Sequence, residues 1–434
     1  TAARAIEAFA AQTLGPQTLL ERAGGAVARL AMALTPHARS TTEADEAPTD
    51  LVIDALLGSD LTLPVSGEMA QAIRWVQQQA APVLAVDVPS GLPGDTGALA
   101  PGAPCVQARW TLALLTLAPG LFTAHGRDPS GEVWWDDLGV PTLPAGPPTP
   151  VAWLHSPVGT DAGGPVRRHG QHKGSFGDVW VLGGGRSMAG AALLAGRAAL
   201  GVGAGRIYVH LLDPGAPRLD PQHPELMLAD APDALRLQAA TAVIGCGGGP
   251  TLRDHLPGAL HHAARLVLDA DALNALAEAP ALCNALRGRR ERGLPTVLTP
   301  HPLEAARLLG CSAAEVQADR FHAVRTLASR LGAAVVLKGS GSLVVLPDAG
   351  AIAWINTSGN AALATPGSGD VLAGWIAGLW SQLAGGREGL DVAQRWSDAE
   401  WAARQAVYRH GLRAEQHSAT GSVLVASRLI PDGH

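Results

Sequence analysis

The chain is poor in aromatic residues and in charge. Phe, Trp and Tyr supply 4% of its 434 residues, charged side chains 16%, and there are 4 cysteines. Cys105, Cys246, Cys283 and Cys311 lie far apart with no C-x-x-C pair, which excludes a disulfide framework and a structural zinc site and fits a reducing cytoplasm. No apolar run reaches the ~20 residues that a membrane helix needs. The longest candidate, Trp110–Phe122, is broken by Pro119-Gly120. A formal charge of -6, with no Lys/Arg stripe, argues against a nucleic-acid backbone as partner. Two nucleotide signatures are also missing. Gly183-x-Gly185-x-x-Met188 fails G-x-G-x-x-G at its third glycine, and G-x-x-x-x-G-K-[ST] does not occur. A dehydrogenase-type dinucleotide fold and a Walker-type NTPase are therefore disfavoured. The sequence opens on Thr1 rather than Met, which leaves residues ahead of it open.

What is present is small and apolar: 47% hydrophobic residues, 52 Gly and 32 Pro. That composition describes a compact, alanine-rich α/β protein of two or three domains. Residues 1–34 are helical in pattern and 35–50 read as a loop. Leu51-Val52-Ile53 and Val83–Val86 read as buried strands with a helix near 69–79 between them, and each strand runs into an acid, Asp54 and Asp87. Such strand ends suit the crevice where parallel sheets bind ligands. Alone, either acid is an ordinary loop or cap residue. Residues 138–164 are dense in Pro and Gly and read as a linker, which places two domains at 1–150 and 151–434.

The second half alternates strands with helices, the pattern of a parallel sheet wrapped by helices. Strands are expected at 178–182, 206–211, 241–244, 266–268, 296–298 and 334–337, followed by a hairpin strand at 342–346. Several run into small or polar residues: Gly245–Gly249, Asp269-Ala270-Asp271, Thr299-Pro300-His301-Pro302 and Lys338-Gly339-Ser340-Gly341. The series closes on 356–380, where Gly367-Ser368-Gly369-Asp370 precedes an apolar, alanine-rich run. Small residues at a helix start leave amides pointing outward, a ready anion site. Asp370 there is either a cap or a base beside a bound phosphate. Lys338 is either a solvated loop lysine or a phosphate ligand. A lone His301 is as readily structural as functional, and His169 with His172 lacks a third metal ligand.

These motifs, in this order, resemble the NAD(P)H-hydrate dehydratase family, a ribokinase-like family that repairs hydrated nicotinamide cofactors. The resemblance runs from about Arg168 to the C-terminus through H-K-G-S-F-G, the G-G-G-x-x-x-A-G-A loop, G-V-G-A-G, D-A-D-A-L-N, T-P-H-P, K-G and G-N…G-S-G-D-V-L-A-G. The first half resembles the NAD(P)H-hydrate epimerase domain often fused ahead of it, through V-I-D-A-L-L-G, V-D-V-P-S-G-L, D-T-G and A-P-G-L. The implied architecture is a Rossmann-like three-layer domain followed by a ribokinase-like α/β domain.

The resemblance implies that ADP or ATP phosphorylates the hydroxyl of S-NAD(P)HX, hydrated NADH or NADPH, and that loss of phosphate restores NAD(P)H. Asp370 matches the catalytic base. Lys338, Gly339, Ser340, Gly341 and Ser342, with Asn360, Gly367, Ser368 and Gly369, match nucleotide-phosphate segments. Gly249 and His301 match positions that hold the hydrated cofactor, and Mg²⁺ would arrive on the phosphates. In the first half, Asp54 and Ser90 match a K⁺ site, and Gly58 and Asp87 substrate positions. A homo-oligomer is common in the family. This chain departs from it at an N-N-G-G-D-G loop, which is absent, and 35–50 has no room for the strand and helix around it. Asp60 and Thr62 replace a family glycine and arginine. The first half is therefore expected not to interconvert the R and S epimers. In the second half Cys246 replaces a proline, Leu303 a glycine, and Pro366 sits where glycine is common; none removes a reacting group. Two alternatives stay open: a ribokinase-like kinase of a vitamin-type alcohol, and a first half that only binds a ligand or partner.

Overall fold

The structure, a computed structural model, describes residues 2–35, 49–59, 64–141, 149–155, 167–384 and 389–431. Most of 35–50, and Asp60 and Thr62, fall outside these residues. The chain divides into two compact units, Thr1–Ala152 and Trp153–His434.

In the first unit the expected long helix is two helices, Ala2–Leu14 and Pro16–Leu34. Gly15 adopts φ 82° and Pro16 opens the second helix, so the backbone turns where the apolar pattern carries straight on. Four strands, β1 (Val52–Asp54), β2 (Val83–Val86), β3 (Trp110–Leu114) and β4 (Glu132–Asp136), pair in parallel in that order. Neighbouring side chains on β2 point to opposite faces. Leu84 packs with Ala26 and Leu30 of Pro16–Leu34, and Val83 with Ile73 and Val76 of the helix Gly67–Gln77. Helices thus cover both faces, giving the three layers expected.

The second unit is built on ten strands: β5 (Ala152–His155), β6 (Asp178–Gly183), β7 (Arg206–Leu211), β8 (Met227–Leu228), β9 (Thr241–Ile244), β10 (Arg265–Leu268), β11 (Thr296–Leu298), β12 (Ala334–Leu337), β13 (Leu343–Val345) and β14 (Ala353–Asn356). Their order is β5-β14-β13-β12-β11-β10-β9-β6-β7-β8, parallel from β6 to β12 and antiparallel at β13 and β14. Strand β5 lies inside the stretch read as linker. The prolines just before it mask four residues that form an edge strand.

The helix Ser368–Ala384 lies against Ala189–Gly201 at close range. A Cβ on Gly374 would stand 2.1 Å from the Ala195 carbonyl oxygen, and one on Gly378 2.8 Å from that of Ala199. Only glycine allows that approach. Val371, Ile376, Ala377 and Trp380 on this helix are fully buried or nearly so. Burying each large side chain among them stabilises the fold by roughly 1.5–3 kcal/mol. The seam between the two helices fixes where the N-terminal turn of this helix stands beside the carboxyl ends of β9, β10, β11 and β12.

Candidate functional site

Those four strand ends deliver one polar cluster. Asp269 leaves β10, Lys338 leaves β12 and Cys246 follows β9, while Asp370 comes from the first turn of Ser368–Ala384. Lys338 Nζ stands 2.8 Å from Asp269 Oδ1 and 3.9 Å from Glu304 Oε2. Thr299 Oγ1 donates to the same Asp269 oxygen at 2.8 Å. The ligating atoms of Cys246, Asp269 and Asp370 lie within 4.8 Å of one another. Ala270 is held at φ 47°, a strained conformation for a residue with a Cβ. It sends the acids on either side to different tasks, for Asp271 Oδ2 accepts the amide of Gly249 at 2.9 Å.

Charge in this cluster is unevenly supported. Burial and the neighbouring Asp269 carboxylate push Asp370 up to about 6, against the pull of the nearby Cys246 thiol and the Lys338 ammonium. Burial alone would lower Lys338, but Asp269 and Glu304 beside it leave the ammonium above its ordinary value. Burial, then Asp370 and Asp269, raise the Cys246 thiol well above the usual range, so it stays protonated. A protonated thiol and an ammonium on Asp269 make a poor cage for a metal ion.

The expected nucleotide segments surround this cluster. A Cβ on Gly369 would lie 3.2 Å from Lys338 Nζ, so no side chain separates the helix start from that ammonium. Gly367 (φ 87°) enters the helix, and Ser368 Oγ donates to the Leu363 carbonyl at 2.9 Å. Gly339, Ser340, Gly341 and Ser342 form the turn after Lys338, closed by Ser342 Oγ donating to the Gly339 carbonyl at 3.1 Å. Arg320, fully buried, donates to the carbonyls of Leu337 and Lys338 and so fixes the base of that turn. Asn360 Oδ1 accepts the Ala362 amide at 3.1 Å, and its Nδ2 donates to Ser418 Oγ at 3.1 Å.

The long helix Val392–Ser418 holds this loop from beneath. Ser358 Oγ donates to the Tyr408 carbonyl at 2.7 Å, and Glu415 Oε1 accepts the Gly359 amide at 2.7 Å. A Cβ on Gly411 would fall 2.2 Å from Ser358 Oγ. His410 is buried against the Ser368 backbone and is pushed down to about 4 by that burial, so it is neutral.

The positions expected to hold the hydrated cofactor, Gly249 and His301, sit at the neighbouring strand ends. Gly249 has φ 62°, and a Cβ there would meet nothing within 4 Å, leaving open space on that side while its amide is held by Asp271. His301 caps the helix Pro302–Leu309: its Nδ1 accepts the amides of Leu303 and Glu304, each at 3.2 Å, and its Nε2 faces Glu304 Oε1 at 3.4 Å. The ring is still 45% exposed, so it caps and faces outward at once.

In the first unit, Asp54, Gly58, Asp87 and Ser90 come together at the ends of β1 and β2. Ser90 donates its Oγ to Asp54 Oδ1 at 2.7 Å and its amide to Oδ2 at 2.8 Å. Asp87, at φ 68°, accepts the Ser59 amide at 3.0 Å, and a Cβ on Gly58 would stand 3.4 Å from its carboxylate. Oxygen donors side by side are what a hard cation takes. Ser90 donates to Asp54, and both groups keep oxygen lone pairs, so the pair is compatible with K⁺.

Reading the chain residue by residue did not single out Asp269, Glu304, Cys246 or Asp271 as site residues. Their signal was positional, since each follows one of three successive strands, β9, β10 and β11, that lie in line beside the one carrying Lys338.

A model of the NAD(P)H-hydrate dehydratase family matches residues 179–430. The chain belongs to that family. A model of the YjeF-related protein N-terminus matches residues 17–120. The bifunctional NAD(P)H-hydrate repair enzyme of Escherichia coli is 38% identical over 340 residues, covering 77% of this chain and 63% of that one. The chain thus spans a little under two thirds of that relative. An ADP-dependent (S)-NAD(P)H-hydrate dehydratase of Neisseria meningitidis is 44% identical over 223 residues, half of this chain and 73% of that one. A ribokinase-like superfamily protein of Enterococcus faecalis superposes with a TM-score of 0.50 at 24% identity, over 64% of this chain and 92% of that one. That likeness shows the fold, which is ribokinase-like as expected.

Proposed function

We propose that the second unit, about residues 151–434, dehydrates S-NAD(P)HX to NAD(P)H using ADP or ATP. The observation that carries this reading is the Asp370 carboxylate, raised to about 6 at a glycine-rich helix start and only partly shielded from solvent. A base poised near neutrality is suited to removing a hydroxyl proton. Asp370 takes the proton of the substrate alcohol, and the freed oxygen attacks the terminal phosphorus of the nucleotide. The bond to the leaving phosphate of AMP or ADP breaks. The phosphate ester then loses phosphate and a proton, and the ring double bond is restored.

The amides of Gly367, Ser368 and Gly369, with those of the Lys338–Ser342 turn, hold the transferring phosphate, with Asn360 at the rim. Gly249 and His301 hold the hydrated cofactor. Mg²⁺ fits as a passenger on the nucleotide, neutralising phosphate charge, because Lys338 already neutralises Asp269. The first unit, about residues 1–150, binds the same class of molecule through Gly58 and Asp87, with K⁺ at Asp54 and Ser90. It is read as binding without epimerising, because the sequence lacks N-N-G-G-D-G. No helix among the described residues is long and apolar enough to cross a membrane. The reading takes the protein as a cytoplasmic homo-oligomer acting on small molecules.

The test is the appearance of NADH absorbance from NADHX with ADP, then ATP, each with Mg²⁺. NADH formation that requires the nucleotide supports the reading. No NADH, with phosphorylation of a hydroxymethyl vitamin instead, overturns it.

A further inference from the structure

Cys246 occupies a place where the family resemblance has proline. It is fully buried, and its sulfur lies within 4.8 Å of the ligating oxygens of both Asp269 and Asp370. The loop that carries it is rigid. Gly184 donates its amide to the Cys246 carbonyl at 2.9 Å, and Gly185 to that of Gly247 at 2.7 Å, which zips the β6 and β9 loops together. A Cβ on Gly183 would stand 2.3 Å from the Cys246 carbonyl oxygen, so only glycine there lets the two loops approach this closely.

We propose that Cys246 is a positioning residue that acts through Asp370: its S–H donates to the Asp370 carboxylate and keeps that group an acceptor for the substrate's hydroxyl proton. Of the neighbours of Asp370, Asp269 and Asp271 oppose its ionisation and Lys338 favours it, but Lys338 is bound to Asp269 and shared with Glu304. His410, on the helix below, is neutral and adds no charge. The thiol, itself held protonated, is therefore the neutral donor that faces the base. Proline has no such donor, so this chain adjusts its base by a means that the family residue cannot supply.

The kinetic part of the test rests on the dehydratase reading, and a spectroscopic part does not. In the full-length protein, the S–H stretching band that disappears in Cys246→Ala is assigned to Cys246. It is expected to shift as pH falls through about 6, when Asp370 takes up its proton. In Asp370→Asn the band should lose that dependence. A band that is insensitive both to pH and to Asp370→Asn overturns the proposal even if the enzyme shows no turnover of NADHX. In turnover, Cys246→Ala should move the acid limb of kcat to higher pH, lowering the rate at pH 6 relative to pH 8 by roughly three- to tenfold more than in the wild type, as a tenfold change per pKa unit implies. Cys246→Ser keeps a donor and should hold the limb near its original place. Equal limbs in wild type and Cys246→Ala overturn the proposal. If Cys246→Ala does not fold, Cys246→Ser, which also removes the S–H, assigns the band, and its response to pH and to Asp370→Asn decides the proposal.

Discussion

The Asp370 carboxylate is held among groups that disfavour its charge, which suits it to the base role proposed for it. Activity should rise with pH through about 6 as the carboxylate ionises. Asp370→Asn should lower the dehydration kcat by roughly 10²–10⁴ while nucleotide affinity, measured by calorimetry, stays nearly unchanged. Undiminished turnover would exclude the role. The same substitution should stabilise the fold. A folded pKa raised above the unfolded value means that folding favours the protonated form, so ionisation weakens the fold as pH rises from about 4 to 6. Removing the charge should therefore add at most about 3 kcal/mol above pH 6, less where water reaches the group, and nothing below pH 4. Melting curves at both pH values check this. Lys338 gives the opposite case. Lys338→Met strands a buried carboxylate and should cost roughly 3–5 kcal/mol in denaturant unfolding, and pairing it with Asp269→Leu should recover most of that. A single variant as stable as wild type would show that the ion pair is not needed.

Among the elements, the helix Ser368–Ala384 decides where these groups meet. Its glycines at 374 and 378 leave the backbone against Ala195 and Ala199, and its buried stripe packs into the core. Gly374→Val would force the helix off that neighbour, costing roughly 1–3 kcal/mol. It should also depress kcat more than it weakens nucleotide binding, since the turn carrying Asp370 moves with the helix. Steady-state kinetics beside a thermal melt separates the two effects; a loss of stability with intact kcat would mean that the turn is held independently of the seam. The sequence made most of this element legible. Its apolar run and the G-S-G-D start were plain, as were the parallel strands, because a strand buried on both faces is a short apolar block between breakers. Strand β5 was hidden by prolines, and the break at Gly15-Pro16 by an apolar pattern that continues through it.

For the whole molecule, the two units make separate claims. The second brings together Asp370, Lys338 and the glycine-rich turns on which the proposed dehydration rests. The first brings Asp54, Gly58, Asp87 and Ser90 together in a chain that lacks N-N-G-G-D-G. Given pure R-NADHX with ADP, the full chain should form NADH no faster than spontaneous epimerisation supplies the S form. Chromatography showing enzyme-dependent interconversion would restore an epimerase role.

Composition and motif order by themselves determined the class, the pair of units, the parallel sheet and the candidate base, because burial patterns and glycine turns are written locally. Only the tertiary structure decided that Lys338 pairs with Asp269, that Arg320 and Glu415 anchor the loops, and that Cys246 faces Asp370. Those partners lie from fewer than twenty to more than a hundred residues apart along the chain. What brings Lys338, Asp269 and Cys246 together is the order in which β9, β10, β11 and β12 lie side by side, and strand order is a property of packing that no local pattern encodes.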